Sequence, residues 1–242
     1  VDPQATPIAL VITEIMSSSN HSSSSANGDW WELTNNAVYP VDLTGFSWDD
    51  NRDTPFQAVF PPCELGAGES LIVLDEDDAT AFRTIWNLPQ TVRILTRVDF
   101  GLSSLRGLGT TDSVVLYQPN GTMAARSDYP YHSPGKSRAW LRSGAPVAGG
   151  FSEAGQEFVR ISTASPADLG SPGNASGDPS VSSTPYGSWT SAHDLWTGSA
   201  LPEADPDRDG RNNRAEYIFG TSPRIKDSPT ATLTRGAGSG FE

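Results

Sequence analysis

The stretch DWWELTNNAVYPVDLTGFSWDD, residues 29–50, carries the clearest signal for the fold. Its opening, DWWELTN, is rich in aromatic and apolar residues and predicts a β-strand over 29–35. Because successive side chains of a strand point to opposite faces, Trp30 and Trp31 must lie on opposite sides of a sheet. One of them belongs in the core, and we expect a loop of the same domain to cover the other. Left exposed, that second tryptophan could stack on a sugar ring.

Short runs rich in Val, Ile and Leu recur along the chain and are separated by turn signals such as QPNGT. They predict strands at 8–16, 29–35, 41–48, 56–60, 70–75, 91–96, 113–118 and 122–129, and a later strand at 156–162 that closes a sheet edge. One helical segment, 79–86, follows Asp77 and Asp78 as candidate N-caps and stops before Pro89. Repeated short strands with a single helical excursion predict an all-β fold of the β-sandwich class.

The charge balance limits the classes of partner. Sixteen basic and 29 acidic residues give a formal net charge of -13. Because the basic residues form no cluster, we expect no nucleic-acid partner. An acidic balance fits cation binding instead. The single cysteine, Cys63, allows no internal disulfide and lies among apolar residues in FPPCEL, so we expect it to be buried and unreactive.

The sequence also suggests where the protein works. It contains no apolar run of about 18 residues, so we expect no membrane span. The opening VDPQATP resembles the mature terminus left after removal of a signal peptide. A secreted eukaryotic domain without disulfides would be unusual. We therefore expect a secreted or cell-surface protein of bacteria.

A change of composition divides the chain. The segment SPGNASGDPSVSSTPYGS, residues 171–188, is small, polar and rich in Pro and Gly, which is typical of a linker. We predict a sandwich over 1–176, a linker over 177–188 and a small helical module over 189–242. In that module two short helical segments, SAHDLW and RAEYIFG, flank an acidic loop. The closing TATLTRGAGSGFE begins with a strand-like pattern and then loses it in Gly and Ser residues, which we interpret as a truncated module.

The acidic loop DPDRDGRNNRAE, residues 205–216, has the spacing of an EF-hand calcium loop. In such loops the first, third, fifth, seventh, ninth and twelfth positions supply oxygen ligands, and glycine at the sixth permits the sharp turn. Gly210 stands at the sixth position, and Gly220 suits the end of the following helix. The predicted metal ligands are Asp205, Asp207, Asp209, Arg211 through its backbone carbonyl, Asn213, and Glu216 through both carboxylate oxygens.

We expect calcium here rather than magnesium, because calcium accepts high coordination and a bidentate carboxylate. The alternative is a solvated acidic turn whose aspartates only cap a helix. Asn212 stands where paired EF-hands carry an apolar residue, and no second loop is present in the sequence. The segment resembles the single calcium loops of bacterial surface proteins, of thrombospondin type 3 or dockerin-like type. In that role the ion would cancel carboxylate repulsion and tie the flanking segments together.

Several segments, in order, resemble the lamin tail domain family. They are ITEIM, DWWELTN, VDLTGFSWDDN, LGAGESLIV, FGLSSLRGLGTTDSVVLYQPNGTMAARSDY, GKS (135–137) and LGSPGNAS (169–176). The resemblance covers about residues 8–176. It implies an immunoglobulin-like β-sandwich with a binding or scaffolding role and no agreed ligand, so the expected partner is an unknown protein or glycan. We expect no enzymatic activity, because His21, His132 and His193 lack metal-ligand spacing and the sequence contains no GxSxG, HExxH or CxxC motif.

Two other functions stay open from the sequence. The chain could be a carbohydrate-binding module of a larger secreted enzyme, with an exposed tryptophan stacking on a sugar. It could also be a hydrolase, because Glu14 and Glu32 are expected on neighbouring strands and two carboxylates can form a glycosidase pair. Such acids more often satisfy backbone groups or pair with arginine.

Overall fold

Two main β-sheets pack face to face, and fourteen strands and two helices lie in the part of the chain that is described. The computed structural model describes residues 10–21, 28–37, 39–50, 54–105, 107–156, 159–175, 186, 189–190, 193, 195 and 199–226. The helices are α1 (Thr80–Trp86) and α2 (Asn213–Phe219). The strands are β1 (Leu10–Met16), β2 (Trp30–Asn35), β3 (Val41–Asp42), β4 (Ser47–Asp49), β5 (Ala58–Val59), β6 (Glu64–Leu65), β7 (Ser70–Leu74), β8 (Arg93–Thr96), β9 (Asp112–Tyr117), β10 (Met123–Tyr129), β11 (Arg138–Trp140), β12 (Pro146–Phe151), β13 (Arg160–Ile161) and β14 (Leu169–Gly170).

The larger sheet has six strands in the order β12-β11-β1-β2-β7-β8, and the smaller has four in the order β10-β9-β4-β5. The pairs β3–β6 and β13–β14 form two further small sheets. Neighbouring strands run antiparallel except β7 and β8, which are parallel. A parallel pair needs a crossover connection, and α1 lies within the crossover between these two strands. The mostly β, multi-sheet architecture agrees with the predicted sandwich class.

The main core lies between the two large sheets. Trp31 and Leu33 of β2 meet Trp48 of β4 and Leu116 of β9 there. The Trp31 and Trp48 rings pack edge to face with centroids 5.1 Å apart. Each of these aromatic side chains removes a large apolar area from water, so the two tryptophans contribute strongly to holding the sheets together.

A second core lies on the outer face of the larger sheet. Trp30 packs there beneath α1, with its ring centroid 5.8 Å from that of Phe82 and 6.0 Å from that of Trp86. Phe82 and Trp86 are four residues apart, which places both on one face of the helix. Both tryptophans of β2 are 1% exposed, so neither is free to stack on a sugar. The cover that the sequence requires for Trp30 is this helix rather than a loop.

Several predicted boundaries were wrong, each for a local reason. The strand predicted at 41–48 is broken by a turn at Gly45, where φ is 78°. The predicted strand at 156–162 is reduced in the described residues to β13, which pairs with β14 and closes no main sheet. The edge of the larger sheet is instead β12, which the sequence did not reveal because Gly149 and Gly150 interrupt its apolar pattern.

The start of α1 differs from the predicted cap. Ala79 occupies the N-cap and offers no side-chain hydrogen bond. Asp78 stands one residue earlier, yet its Oδ1 accepts a hydrogen bond of 3.0 Å from the Thr80 backbone N–H. The carboxylate therefore satisfies one of the otherwise unpaired N–H groups of the first turn without occupying the cap position.

Parts of the predicted organisation lie outside the described residues. They are the opening VDPQATP, the linker at 177–188 apart from Tyr186, the segment SAHDLW apart from His193 and Leu195, and the final residues from 227 onward. Among the residues that are described, neither helix has the length and apolarity needed to cross a bilayer.

The second core provides a test of how much α1 contributes. We expect Phe82→Ala to lower the free energy of unfolding by about 3–5 kcal/mol, because it opens a cavity against Trp30 and Trp86. Urea denaturation followed by tryptophan fluorescence measures this change. Thr84→Ala, on the exposed side of the same helix, should change stability by no more than about 0.5 kcal/mol. Equal effects of the two substitutions would show that the helix packs only loosely.

Candidate functional site

The acidic loop forms a tight turn that leads into α2. Arg208 and Gly210 have positive φ values of 59° and 91°. Glycine adopts this conformation without steric penalty, which explains its presence at the centre of the loop. Asn212 then caps α2, because its side chain accepts a hydrogen bond of 3.0 Å from the Ala215 N–H. Gly220 ends the helix in the left-handed conformation, as predicted.

Three carboxylates converge inside this turn. One oxygen from each of Asp205, Asp207 and Asp209 lies within 4.8 Å of the other two. Loop N–H groups donate to all three carboxylates: Gly210 N–H to Asp205 Oδ2 at 3.0 Å, Asp209 N–H to Asp207 Oδ1 at 3.2 Å, and Arg211 N–H to Asp209 Oδ1 at 2.8 Å. The backbone thus holds the carboxylates together despite their mutual repulsion.

Two other oxygens of these carboxylates have no protein donor among the residues described. Asp205 Oδ1 and Asp207 Oδ2 are buried, and no hydrogen-bond partner for either occurs among the residues described. Burial first, and then the neighbouring Asp209 charge, raises the pKa of Asp207 above its usual value. Buried carboxylate oxygens without donors are destabilising, and a hard cation would supply the missing positive charge.

The two ligands predicted from the helix are placed differently. Glu216 lies in the first turn of α2 and is fully buried, but it is not part of the three-aspartate group. Asn213 is also fully buried, and its Nδ2 donates to the carbonyl oxygens of Ser199 and Leu201. Its side chain therefore holds the incoming chain against the helix. The structure brings the three aspartates together, whereas Asn213 and Glu216 are buried at the start of α2 outside that group.

Aromatic residues upstream of the loop pack on α2. The Tyr186 ring lies 5.4 Å from that of Tyr217 and 5.7 Å from that of Trp189. The sequence places Tyr186 in the predicted linker, because its polar and Pro-rich neighbours give no periodic signal.

A polar contact also joins the acidic loop to the sandwich: Arg208 Nη1 lies 2.8 Å from Glu64 Oε2. This pair is about half exposed, so it contributes little stability.

The second set of acids singled out from the sequence, Glu14 and Glu32, is buried on the larger sheet. They are directly opposite each other on β1 and β2, on the outer face of the larger sheet, and are 1% and 0% exposed. Ser171 donates to Glu14 through both its N–H and its hydroxyl, at 2.7 and 2.8 Å. Gly173 N–H donates to Glu32 Oε2 at 2.7 Å.

The segment from 169 to 173 therefore lies directly over the carboxylate pair. A Cβ at Gly170 would come within 3.1 Å of Glu14 Oε1 and 3.2 Å of the Trp30 ring, so a larger residue here would crowd the buried carboxylate and the ring. With this cover no sugar can reach the two carboxylates. The hydrolase alternative is thus corrected: Glu14 and Glu32 bind the returning chain rather than a substrate.

A comparison with family models gives a match that covers half of the chain. The model described as the lamin tail domain matches residues 3–130. All described strands from β1 to β10 fall within this range, whereas β11–β14 and the acidic loop lie beyond it. A comparison with curated proteins finds no match.

The carboxylate pair gives a pH prediction. Burial, followed by the facing charge of Glu32, raises the pKa of Glu14 from 4.5 to about 8. A raised pKa in the folded state favours the protonated form, so the stability this group contributes is present below pH 4.5 and is lost as the pH rises through about 8. We expect the melting temperature of the wild type to fall over this window, by about 2–4 °C for each kcal/mol lost.

Glu14→Gln separates this effect from other titrations. The variant cannot ionise at that position, so its melting temperature should decline less between about pH 4.5 and 8 than that of the wild type. Burial also raises the pKa of Asp29, to about 7, but both proteins retain that group. Glu153→Gln, at an exposed site paired with Lys136, should follow the wild type. Parallel pH profiles for wild type and Glu14→Gln would contradict the assignment.

Proposed function

The chain belongs to the lamin tail domain family, and from this premise we propose that it is a non-catalytic binding or scaffolding module whose acidic loop holds a structural calcium ion. The family contributes an immunoglobulin-like sandwich, a class of domain that presents surfaces to partners. We place the protein outside the cell or on the surface of a bacterium, where millimolar calcium suits loops of modest affinity. Its partner is a protein or a glycan.

One observation carries the calcium proposal. Asp205 Oδ1 and Asp207 Oδ2 are buried without a hydrogen-bond donor among the described residues, in a group of three converging carboxylates. A solvated acidic turn, the competing explanation, would leave these oxygens in water. Calcium fits an all-oxygen, multiply anionic site better than softer metals do, because those prefer nitrogen or sulfur ligands.

The candidate ligands fit calcium both in chemistry, since all are oxygen donors, and in number. Asp205, Asp207 and Asp209 supply three anionic groups, and Glu216 supplies a fourth from the adjacent helix turn. The Arg211 carbonyl and the Asn213 side chain complete the predicted set. Because α2 begins at Asn213, an ion held by the loop would connect the aspartates to the start of the helix. Its role would be to fix the two ends of the loop, which is a structural rather than a catalytic function.

We expect calcium to stabilise this part of the chain selectively. At a free calcium concentration of 100 times Kd, binding adds about 2.7 kcal/mol to the stability of the bound region. Hydrogen exchange at the Gly210 and Arg211 amides, and proteolysis between residues 199 and 223, should slow with calcium and quicken with a chelator. Hydrogen exchange at the amides of β1 and β2 in the sandwich should stay the same. Identical protection with and without chelator would argue against a bound ion.

Calorimetry on charge-matched variants tests the ligands themselves. Asp207→Asn removes one anionic ligand and should weaken calcium binding about tenfold or more. Asp128→Asn removes the same charge at an exposed site paired with Arg126, and it should leave the affinity unchanged. If both substitutions weaken binding equally, the effect is one of net charge and the loop is not the site.

A further inference from the structure

A second cluster of polar and aromatic side chains lies on the sandwich, far along the chain from the acidic loop. The guanidinium carbon of Arg138 sits 5.2 Å from the centroid of the Tyr131 ring and 4.9 Å from that of Phe151. The two rings are 5.4 Å apart at an angle of 53°. We refer to Tyr131, Arg138 and Phe151 as the Arg138 cluster.

The sheet order explains why this cluster exists. Strand β10 forms the edge of the smaller sheet and packs against β1 of the larger one, where Ser127 Oγ donates to the Ile12 carbonyl at 3.2 Å. Beyond β1 the larger sheet continues with β11 and β12. Arg138 and Phe151 are cross-strand partners there, so they extend the sheet face past the margin of the core. Tyr131, just after β10, packs against these two side chains of β11 and β12 and is 51% exposed.

Arg138 differs from its basic neighbours in having no acidic partner among the residues described. Lys136 binds Glu153 at 2.7 Å, and Arg126 binds Asp128. The Nη1 of Arg138 is buried and lacks a hydrogen-bond partner within the same described set. The guanidinium lies close to Gly150, where an added Cβ would come within 2.9 Å of Nη2. It is therefore held in place by packing rather than by an anion.

We propose that the Arg138 cluster binds a carboxylate-bearing sugar, of the uronic acid class, with the sugar ring on Tyr131 and the carboxylate on the guanidinium. Because Nη1 is buried, the carboxylate would take the other edge of the guanidinium, where Nε and Nη2 can donate two parallel hydrogen bonds. The exposed face of Tyr131 offers a flat apolar surface to the C–H side of a sugar ring. A single cation suits one carboxylate better than a doubly charged phosphate.

The geometry of the edge favours a sugar over a peptide carboxylate. A peptide that added to β12 would need a regular row of unpaired backbone groups. Gly149 and Gly150 have φ values of 82° and 75°, and the pairing of β11 with β12 is irregular. These features, together with Pro146 in the strand, remove the regular ladder.

The negative charge of the protein does not exclude this ligand. The formal net charge of -13 repels anions at long range. At physiological ionic strength, however, such repulsion is screened beyond about 8 Å. Direct contact with Arg138 therefore decides binding, and a ligand with one carboxylate is less affected than a polyanion.

Methyl glucuronide and methyl glucoside form a matched pair of probes, because they differ at the carboxylate. In nuclear magnetic resonance titrations of the full chain in calcium, we expect the glucuronide to bind about tenfold or more tightly than the glucoside. The Arg138 side chain and the residues around Tyr131 should show the shifts. Equal affinities, or no shift with either sugar at about 50 mM, would overturn the proposal.

Variants separate recognition from folding. Arg138→Gln should weaken glucuronide binding about tenfold or more while hardly changing that of the glucoside. Tyr131→Ala, at an exposed position where folding is not at risk, should weaken both sugars. Arg126→Gln, which removes an arginine already paired with Asp128, should bind as the wild type does. Equal weakening by Arg126→Gln would refute a local site, and equally tight binding of a short peptide carboxylate would refute a sugar site.

Discussion

The structure depends on the burial of strand β2 on both of its faces. Its alternating side chains send Trp31 and Leu33 into the space between the sheets and Trp30 and Glu32 to the outer face. A strand in a simple two-sheet sandwich needs only one buried face. The outer face of β2 must therefore be covered by further elements, and the helical crossover between β7 and β8 and the returning segment at 169–173 supply that cover.

The outer face is divided by chemistry. Its apolar half, with Trp30, Ile72 and Leu74, lies under α1. Its polar half, with Glu14 and Glu32, receives hydrogen bonds from Ser171 and Gly173. Two buried carboxylates facing each other would be strongly destabilising without these donors and without the proton that the raised pKa of Glu14 retains. The same acids therefore make the sandwich depend on a segment more than 100 residues later in the chain, Glu14 and Ser171 being 157 residues apart.

The acidic loop solves a related problem in a different way. Its three aspartates also converge, but the donors are backbone N–H groups of the loop itself, and two buried oxygens remain without one in the described residues. In the sandwich, protein donors and a proton compensate the acids. In the loop, the proposed calcium ion would do so, which makes the loop dependent on conditions in solution while the sandwich depends on its own chain.

The sequence by itself determined the features that follow from local pattern. These are most strands from β1 to β10, helix α1 within about one residue, and the helix start and glycine cap around the acidic loop. It also carried the resemblance to the lamin tail domain, which the family match confirms. Calcium binding remains a prediction from spacing. Only the tertiary structure decided that β7 and β8 are parallel, that β11 and β12 extend the larger sheet, and that Glu14 and Glu32 bind Ser171 and Gly173 instead of facing a substrate. The physical reason is that periodicity and turn chemistry act between neighbours in sequence. Strand order, cover for a second face and donors for a buried charge depend on residues that meet only when the chain has folded.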